Sequence, residues 1–226
     1  MSTNKQKIIL FANGELPEPE FLIPRINPED ILIAVDGGLH HITRLGLTPT
    51  MIIGDLDSIN EEALHILQSQ GVAVYQFPRE KDQTDLEIAL DFALEKQIEP
   101  IWVVAALGNR LDQTLANIFL LTKSQLETVD IRLVDGEREV FLIHGSKKIS
   151  GETGQRISLL PLNGPVEGIW TEGLKYPLKN ETLYPEQTRG VSNEMTAYSA
   201  HVTLHSGKLL CIHETLKSIE RIEHDV

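Results

Sequence analysis

The sequence predicts an α/β N-terminal domain with a mainly parallel, Rossmann-like sheet, followed by an all-β C-terminal sandwich domain. Two observations predict it. Strand-length apolar runs alternate with helical stretches over the first two-thirds of the chain, and short strand-like runs separated by turn signals follow from about Asp135. The length of 226 residues fits one to two domains, and a hydrophobic content of 41% is enough for a sizeable core. We predict domains at 1–138 and 139–226.

The first domain alternates between two kinds of segment. Continuous apolar runs, typical of parallel strands buried on both faces, predict strands at 7–12, 31–35, 51–53, 73–76, 101–105 and 131–134. Apolar stripes and boundary glycines predict helices at 39–45, 61–70, 83–96 and 111–122. Strands and helices that alternate in this way imply a parallel sheet with helices on both faces.

The second domain is predicted to contain only short strands over most of its length. They are expected at 139–144, 156–161, 166–170, 200–204 and 208–213. The turn signals Asn163-Gly164-Pro165 and Ser206-Gly207 separate them. This pattern indicates a small antiparallel sandwich or partial barrel.

Charge and cysteine content exclude several functions. The net charge of −13 disfavours a surface for nucleic acid or an anionic membrane, although bound metal ions let an acidic protein accept a polyanion such as ATP. Cys211 is the only cysteine, which excludes an intramolecular disulfide and a thiolate cluster, and we predict that it is buried in a strand. The apolar run at 8–12 is too short for a signal peptide or a membrane span, so we expect a cytoplasmic protein.

Five carboxylates lie in three short runs after predicted strands: Asp55 and Asp57, Asp82 and Asp85, and Asp112. In an open parallel sheet ligands bind beyond the carboxyl ends of the strands, and crowded carboxylates need a cation to hold them. Oxygen ligands alone favour a hard cation, which indicates Mg²⁺. An extended turn after strand 51–53 would point Asp55 and Asp57 the same way. The alternative to a metal-binding role is that Asp82 only caps the following helix and that Asp85 only complements the dipole of that helix.

Two cations stand beside these acids. Lys81 and Arg110 are in positions suited to binding phosphate oxygens. Asp112 would orient a metal-bound water or accept a proton. The alternative is that Asp112 is only a helix-terminal acid and Arg110 only a surface arginine. The pattern therefore favours metal-assisted phosphoryl chemistry.

Two glycine-containing loops, Asn13-Gly14-Glu15 and Asp36-Gly37-Gly38, follow the first two strands. Glycines permit a close approach of the backbone to a ligand, and backbone N–H groups can hold phosphate. Asp36 either binds ribose or metal or caps the helix at 39–45. Gly-x-Gly-x-x-Gly and P-loop motifs are absent from the sequence. His40 and His41 are adjacent, so we predict them on a helix surface and assign no histidine to catalysis.

Taken in order, these motifs resemble those of the thiamine pyrophosphokinase family. The resemblance spans nearly the whole chain and is carried by Ala12-Asn13-Gly14-Glu15, Asp36-Gly37-Gly38, Gly54-Asp55-Leu56-Asp57-Ser58, Lys81-Asp82-Gln83-Thr84-Asp85, Gly108-Asn109-Arg110-Leu111-Asp112-Gln113, Gly173-Leu174-Lys175-Tyr176-Pro177-Leu178 and Ser192-Asn193-Glu194. No single motif is specific, but their combination and order are.

The resemblance implies an N-terminal domain that binds ATP and Mg²⁺ and catalyses the reaction, and a C-terminal β-sandwich that binds thiamine. It also implies a homodimer, with thiamine in a cleft shared between the subunits. The implied reaction transfers the terminal pyrophosphoryl group of ATP to the hydroxyl of thiamine, giving thiamine diphosphate and AMP.

Carried over to this sequence, the resemblance assigns roles to individual residues. The implied metal ligands are Asp55, Asp57 and Asp85. The implied catalytic residues are Asp55, Asp57, Asp85, Asp112 and Arg110. The implied ATP-binding residues are Asn13, Asp36, Gly37, Lys81, Asp82, Thr84 and Arg110. The implied thiamine-binding residues are Tyr176, Ser192 and Asn193, where an aromatic face suits a cationic thiazolium and the polar side chains suit an aminopyrimidine.

One motif departs from the family pattern. The family commonly has Gly-Gly-Arg-x-Asp-His where this chain has Gly108-Asn109-Arg110-Leu111-Asp112-Gln113. Asn109 replaces a glycine, and Gln113 does not titrate near neutral pH but can donate a hydrogen bond. Two alternatives remain for the function as a whole: a pyrophosphokinase for another hydroxymethyl acceptor such as a pterin, or a non-catalytic module that binds thiamine or a nucleotide.

Overall fold

The computed structural model describes residues 5–57, 59–136 and 138–214. Its contacts divide the chain into two compact units, Met1–Gly136 and Glu137–Val226. Among the described residues, no helix has both the length and the apolar character needed to cross a membrane.

The first unit contains a parallel sheet of six strands: β1 (Ile8–Phe11), β2 (Ile31–Val35), β3 (Met51–Gly54), β4 (Ala73–Gln76), β5 (Ile101–Val104) and β6 (Ile131–Val134). Their order is β4-β3-β2-β1-β5-β6, and each neighbouring pair is parallel. Every residue of β1 is fully buried, as its continuous apolar sequence predicts for a central strand. The strand order reverses between β1 and β5, so the carboxyl ends of these strands flank a topological switch point.

Four helices connect these strands: α1 (Leu39–Arg44), α2 (Glu61–Ser69), α3 (Asp85–Glu95) and α4 (Leu111–Leu120). Short 3-10 helices occupy Pro19–Arg25, Asp36–Gly38 and Ser124–Leu126. Thr84 caps α3, since its Oγ1 accepts a hydrogen bond of 3.2 Å from the backbone N–H of Glu87. The alternative that Asp82 is this cap is therefore wrong. Asp36 does not cap α1 either, because that helix begins after Gly38 without a side-chain cap.

A buried ion pair joins the amino ends of two central strands. Lys7 and Asp30 directly precede β1 and β2, and Lys7 Nζ lies 2.6 Å from Asp30 Oδ2. The same carboxylate accepts hydrogen bonds from the backbone N–H groups of Lys7 and Asn27. This cluster lies at the end of β1 and β2 opposite to their carboxyl ends, so we assign it to stability.

The second unit consists of antiparallel strands: β7 (Arg138–Ile143), β8 (Ser146–Ser150), β9 (Arg156–Glu172), β10 (Lys179–Leu183), β11 (Asn193–Glu194), β12 (Ser199–Thr203) and β13 (Ser206–Glu214). The long strand β9 pairs with β10, β11, β12 and β13. Cys211 is fully buried in β13, which confirms its predicted environment. The polar strands β8, β10 and β11 carry no apolar run and were not predicted.

The predicted turn at Asn163-Gly164-Pro165 is wrong, because β9 continues through it as one strand. Asn163 and Gly164 have φ angles of 64° and 139°, and the strand is irregular there rather than reversed. Leu162 pairs with Lys208 and Glu167 pairs with Ser206, so five steps along β9 match two along β13. The turn-forming residues therefore lie in a β-bulge within β9.

Candidate active site

Three carboxylates converge at the carboxyl ends of β2 and β3. Asp36 follows β2, Asp55 and Asp57 follow β3, and each offers an oxygen atom within 4.8 Å of the other two. The convergence follows from the topology, since β2 and β3 are adjacent parallel strands that end at the same edge. A donor set of three carboxylate oxygens fits a hard divalent cation such as Mg²⁺.

Two residues of the converging loops have unusual backbone conformations. Asp36 and Leu56 have φ angles of 51° and 66°, in the left-handed region that non-glycine residues rarely adopt. The turn between Asp55 and Asp57 is therefore not extended, so the two side chains do not converge in the way that an extended turn would allow. Asp55 Oδ1 accepts a hydrogen bond of 3.1 Å from the backbone N–H of Asp57. A Cβ atom on Gly54 would lie 3.0 Å from Asp36 Cα, so a larger residue at this position would require the loop after β2 to shift. Strained backbone of this kind is typical of functional sites.

Neighbouring polar side chains hold two of these acids. Asn13 Nδ2 donates a hydrogen bond of 3.0 Å to Asp36 Oδ2, and Arg79 Nη1 lies 3.4 Å from Asp57 Oδ2. Gly37 leaves space for Asn13, whose side chain a Cβ atom at position 37 would overlap. Sequence analysis did not single out Arg79. Its position just beyond the carboxyl end of β4, two residues before Lys81, is the sequence signal that could have identified it.

Asp85, the third metal ligand implied by the resemblance, is not in the group formed by Asp36, Asp55 and Asp57. Its Oδ1 lies 3.2 Å from Lys81 Nζ, and both side chains are largely buried. Lys81 also donates a hydrogen bond of 2.9 Å to the carbonyl oxygen of Pro78. The ion pair of Lys81 and Asp85 therefore joins the loop before α3 to the first residue of that helix.

A cleft of about 580 Å³ in the first unit borders this edge of the sheet. The predicted site residues that line it are Asn13, Asp36, Lys81, Thr84, Asp85 and Arg110. Gly37, Asp55, Asp57, Asp82 and Asp112 are not in its lining. The cleft also includes loop residues after β1 and β5, the two strands beside the switch point.

The start of α4 carries an exposed ion pair. Arg110 Nη2 lies 2.6 Å from Asp112 Oδ2, and Arg110 Nε donates a second hydrogen bond of 3.2 Å to Asp112 Oδ1. The hydrogen bond from Arg110 lowers the pKa of Asp112, and the same bond raises the pKa of Arg110. Asn109 Nδ2 donates to Glu15 Oε1, so the residue that departs from the family pattern links the loops after β5 and β1. Gln113 lines the cleft.

The predicted surface position of His41 is wrong. His41 is 3% exposed, and its Nε2 lies 2.9 Å from the carbonyl oxygen of Gly14. Burial lowers the pKa of His41, which favours a neutral ring whose Nε2–H donates to Gly14. His41 does not line the cleft itself, but it contacts the loop after β1 through Gly14, which does.

The thiamine-binding residues implied by the resemblance lie in the second unit. Tyr176 is 54% exposed, whereas Asn193 at the start of β11 is only 6% exposed. The structure brings these two residues into contact through hydrogen bonds between the Asn193 side chain and the Tyr176 backbone. Ser192 is exposed, and its backbone N–H donates a hydrogen bond of 3.0 Å to Ser158 Oγ.

A parallel sheet with a polar cleft at its switch point, bordered by carboxylates and cations, is typical of nucleotide-binding α/β enzymes. Comparison with known proteins identifies the family. The family model described as "Thiamin pyrophosphokinase, catalytic domain" matches residues 24–133, and "Thiamin pyrophosphokinase, vitamin B1 binding domain" matches residues 143–209.

Individual relatives agree with these matches. The thiamine pyrophosphokinase of Bacillus subtilis (strain 168) is 32% identical over 203 residues, which cover 87% of this chain and 95% of that protein. Thiamine pyrophosphokinase 3 of Oryza sativa subsp. japonica is 25% identical over 228 residues, covering 88% of this chain and 82% of that protein. The chain therefore belongs to the thiamine pyrophosphokinase family, a family of transferases.

Solved structures show the same fold. The crystal structure of the Bacillus subtilis enzyme matches with a TM-score of 0.82 and 30% identity, covering 93% of this chain and 100% of that one. The crystal structure of the enzyme from Geobacillus thermodenitrificans matches with a TM-score of 0.82 and 28% identity, covering 94% and 99%. The yeast enzyme has a TM-score of 0.76 at 18% identity, which is informative about the fold alone.

Proposed function

We propose that this protein transfers the terminal pyrophosphoryl group of ATP to the hydroxyl of thiamine, producing thiamine diphosphate and AMP. The observation that carries the proposal is the convergence of Asp36, Asp55 and Asp57 beside a cleft of about 580 Å³, in a chain of this family. The transfer breaks the bond between the α and β phosphates, so the β phosphorus is the atom attacked.

Mg²⁺ is the proposed cofactor, because the donor set consists of carboxylate oxygens. Asp36, Asp55 and Asp57 are the proposed ligands. Asp85, also proposed as a ligand from the family motif, lines the same cleft with its charge balanced by Lys81. When bound, Mg²⁺ neutralises phosphate charge and polarises phosphoryl oxygens.

Cations of the protein supply the remaining charge neutralisation. Lys81 and Arg110, with Arg79 added from the structure, line the cleft and are proposed to bind phosphate oxygens. Phosphoryl transfer depends mainly on positioning and on stabilising the charge that spreads over the phosphoryl oxygens. Each of the three cations has a carboxylate partner: Lys81 pairs with Asp85, Arg110 with Asp112 and Arg79 with Asp57.

A carboxylate is proposed to accept the proton of the thiamine hydroxyl as the oxygen attacks. Asp112 is poorly suited to this role in its present pairing, because the hydrogen bond from Arg110 lowers its pKa and makes it a weaker base. We therefore propose that Asp112 orients Arg110 rather than accepting this proton.

Thiamine is proposed to bind through the second unit, which we propose is a β-sandwich domain. The match of residues 143–209 to a vitamin B1 binding domain supports this acceptor. It does not favour a pterin or another hydroxymethyl compound. The match of residues 24–133 to a catalytic domain likewise does not favour a non-catalytic binding module.

A homodimer is the proposed assembly, with the active site at the subunit interface, and an apolar stripe on α4 supports it. Leu111, Leu115 and Phe119 are all exposed, and their spacing of four residues places them on one face of the helix. A second copy of the chain that covers this face would bury about three large apolar side chains. Sedimentation should show a dimer that Leu115→Glu dissociates, and an unaltered dimer would contradict this interface.

Phosphorus NMR of the protein with ATP, Mg²⁺ and thiamine tests the function. We expect AMP and thiamine diphosphate to appear together at equal rates. ADP as the product would mean that the β–γ bond is broken and would refute the mechanism. If no thiamine diphosphate forms while a pterin alcohol is consumed, the acceptor is wrong but the transfer chemistry is right.

A further inference from the structure

The amide side chain of Asn193 is engaged within the protein at both of its ends. Its Oδ1 accepts hydrogen bonds from the backbone N–H groups of Tyr176, at 3.0 Å, and Glu194, at 2.9 Å. Its Nδ2 donates a hydrogen bond of 2.7 Å to the carbonyl oxygen of Tyr176. The side chain therefore pairs with both backbone groups of Tyr176, as a neighbouring strand would. It is buried, and an engaged buried amide is a poor partner for a ligand.

Other hydrogen bonds hold the segment around Tyr176 against the segment that follows Asn193. Lys175 N–H donates to the carbonyl oxygen of Glu194 at 2.9 Å, and Thr196 N–H donates to that of Gly173 at 2.9 Å. Lys175 Nζ lies 3.1 Å from Glu194 Oε2, and this hydrogen bond raises the pKa of Lys175. The backbone of Tyr176 is thus fixed while its ring remains 54% exposed.

The backbone before Asn193 is in an unfavourable conformation. Ser192 has a φ angle of 57°, in the left-handed region, and its N–H is held by Ser158 Oγ. Such a conformation persists only when surrounding contacts maintain it, and it is typical of segments that serve a ligand site. The left-handed residue directly precedes the side chain that binds the Tyr176 backbone.

We propose that Asn193 is a positioning residue: it fixes the backbone that carries the Tyr176 ring, and its amide does not contact the substrate. The inference rests on the proposed function and extends it. A flat, cationic heteroaromatic substrate needs an aromatic face in a defined place, and a ring on a fixed backbone loses little conformational freedom on binding. This replaces the expectation that Asn193 hydrogen-bonds the aminopyrimidine.

A double-mutant cycle on the KM for thiamine tests this role. Tyr176→Ala should raise the KM for thiamine by roughly 3- to 30-fold through the lost ring. Asn193→Ala should raise it in the same direction, with the KM for ATP unchanged. The double variant should have the KM of Tyr176→Ala alone, because Asn193 acts through a ring that is no longer there. A KM that rises by the product of the two single effects would mean that Asn193 contacts the substrate, and would overturn the proposal.

Two further variants separate positioning from a general loss of structure. Asn193→Asp keeps the oxygen that accepts from Tyr176 and Glu194 but loses the donor to the Tyr176 carbonyl, and it should show the same non-additivity if the alanine variant does not fold. Ser206→Ala removes a hydrogen bond of 3.2 Å to Glu167 elsewhere in the second unit and leaves the contacts of Asn193 and Tyr176 in place, so it should retain the original KM for thiamine. An equal rise in Ser206→Ala would show that the effect is not specific to Asn193.

The outcomes also separate this role from the proposed function. If the unaltered protein produces no AMP from ATP and thiamine, the proposed function fails, and this role fails with it. If it does produce AMP but the cycle is multiplicative, only the role of Asn193 is overturned.

Discussion

Asp55→Asn should raise the stability of the metal-free protein and reduce its stabilisation by Mg²⁺. Asparagine has the shape of aspartate and keeps the oxygen that accepts from the Asp57 N–H, so the change removes charge with little change in contacts. At 4.8 Å, the upper limit of the separation between the nearest carboxylate oxygens, each pair repels by about 0.9 kcal/mol in water, and salt roughly halves this value. Asp55 has two such neighbours, Asp36 and Asp57. Because Asp57 is only two residues away, it also repels Asp55 in the unfolded chain, and that part of the repulsion does not change the free energy of unfolding. The net gain is therefore about 0.5–1 kcal/mol, or about 1–4 °C in Tm.

Thermal denaturation without Mg²⁺ and at saturating Mg²⁺ measures both effects. If the substitution weakens the cation site tenfold, about 1.4 kcal/mol of the Mg²⁺-dependent stabilisation disappears. Asp91→Asn is a matched control, because Asp91 Oδ1 lies 2.8 Å from Lys123 Nζ and its charge is favourable. It should lower Tm slightly and leave the Mg²⁺ response intact. A lower Tm for Asp55→Asn together with an undiminished Mg²⁺ response would refute the reasoning.

Two further predictions concern stability. Asp30→Asn should lower the free energy of unfolding, measured by urea titration, by about 3–5 kcal/mol, because it leaves the Lys7 ammonium buried without a counter-charge. A loss below about 1 kcal/mol would show that water reaches the pair. His41 has a lowered pKa in the folded state, so the unfolded chain binds more protons as the pH falls below the ordinary value of 6.5. The free energy of unfolding should therefore fall as the pH drops below 6.5, and this group contributes at most about 1.4 kcal/mol per pH unit. His41→Gln should flatten that part of a Tm-versus-pH profile. An unchanged slope would exclude His41 as the cause of the pH dependence.

Much of the first unit follows from short-range pattern. The six apolar runs become the six strands, and the runs between them become four helices whose ends differ by a few residues. Asp55 and Asp57 were predicted at a site because they directly follow the buried strand β3. In each case the signal lies within about ten residues of sequence, the range over which burial on both faces and helical periodicity act.

The second unit was harder to predict because its signals depend on distant partners. Strand β8 contains Lys147 and Lys148 and is recognisable only by its pairing with β12. The turn residues Asn163 and Gly164 form a bulge because β13 pairs with β9 on both sides of them. Local sequence at such positions fits a turn and a bulge equally well.

The sequence by itself determined the succession of strands and helices in the first unit, the placement of carboxylates after its strands and, through its ordered motifs, the family. Only the tertiary structure decided that Asp36 joins Asp55 and Asp57 while Asp85 pairs with Lys81, and that Asn193 is buried against the backbone of Tyr176. The physical reason is the range of the interactions involved. Periodicity and capping act between near neighbours, whereas convergence of side chains depends on strand order and on a few left-handed residues that distant contacts maintain.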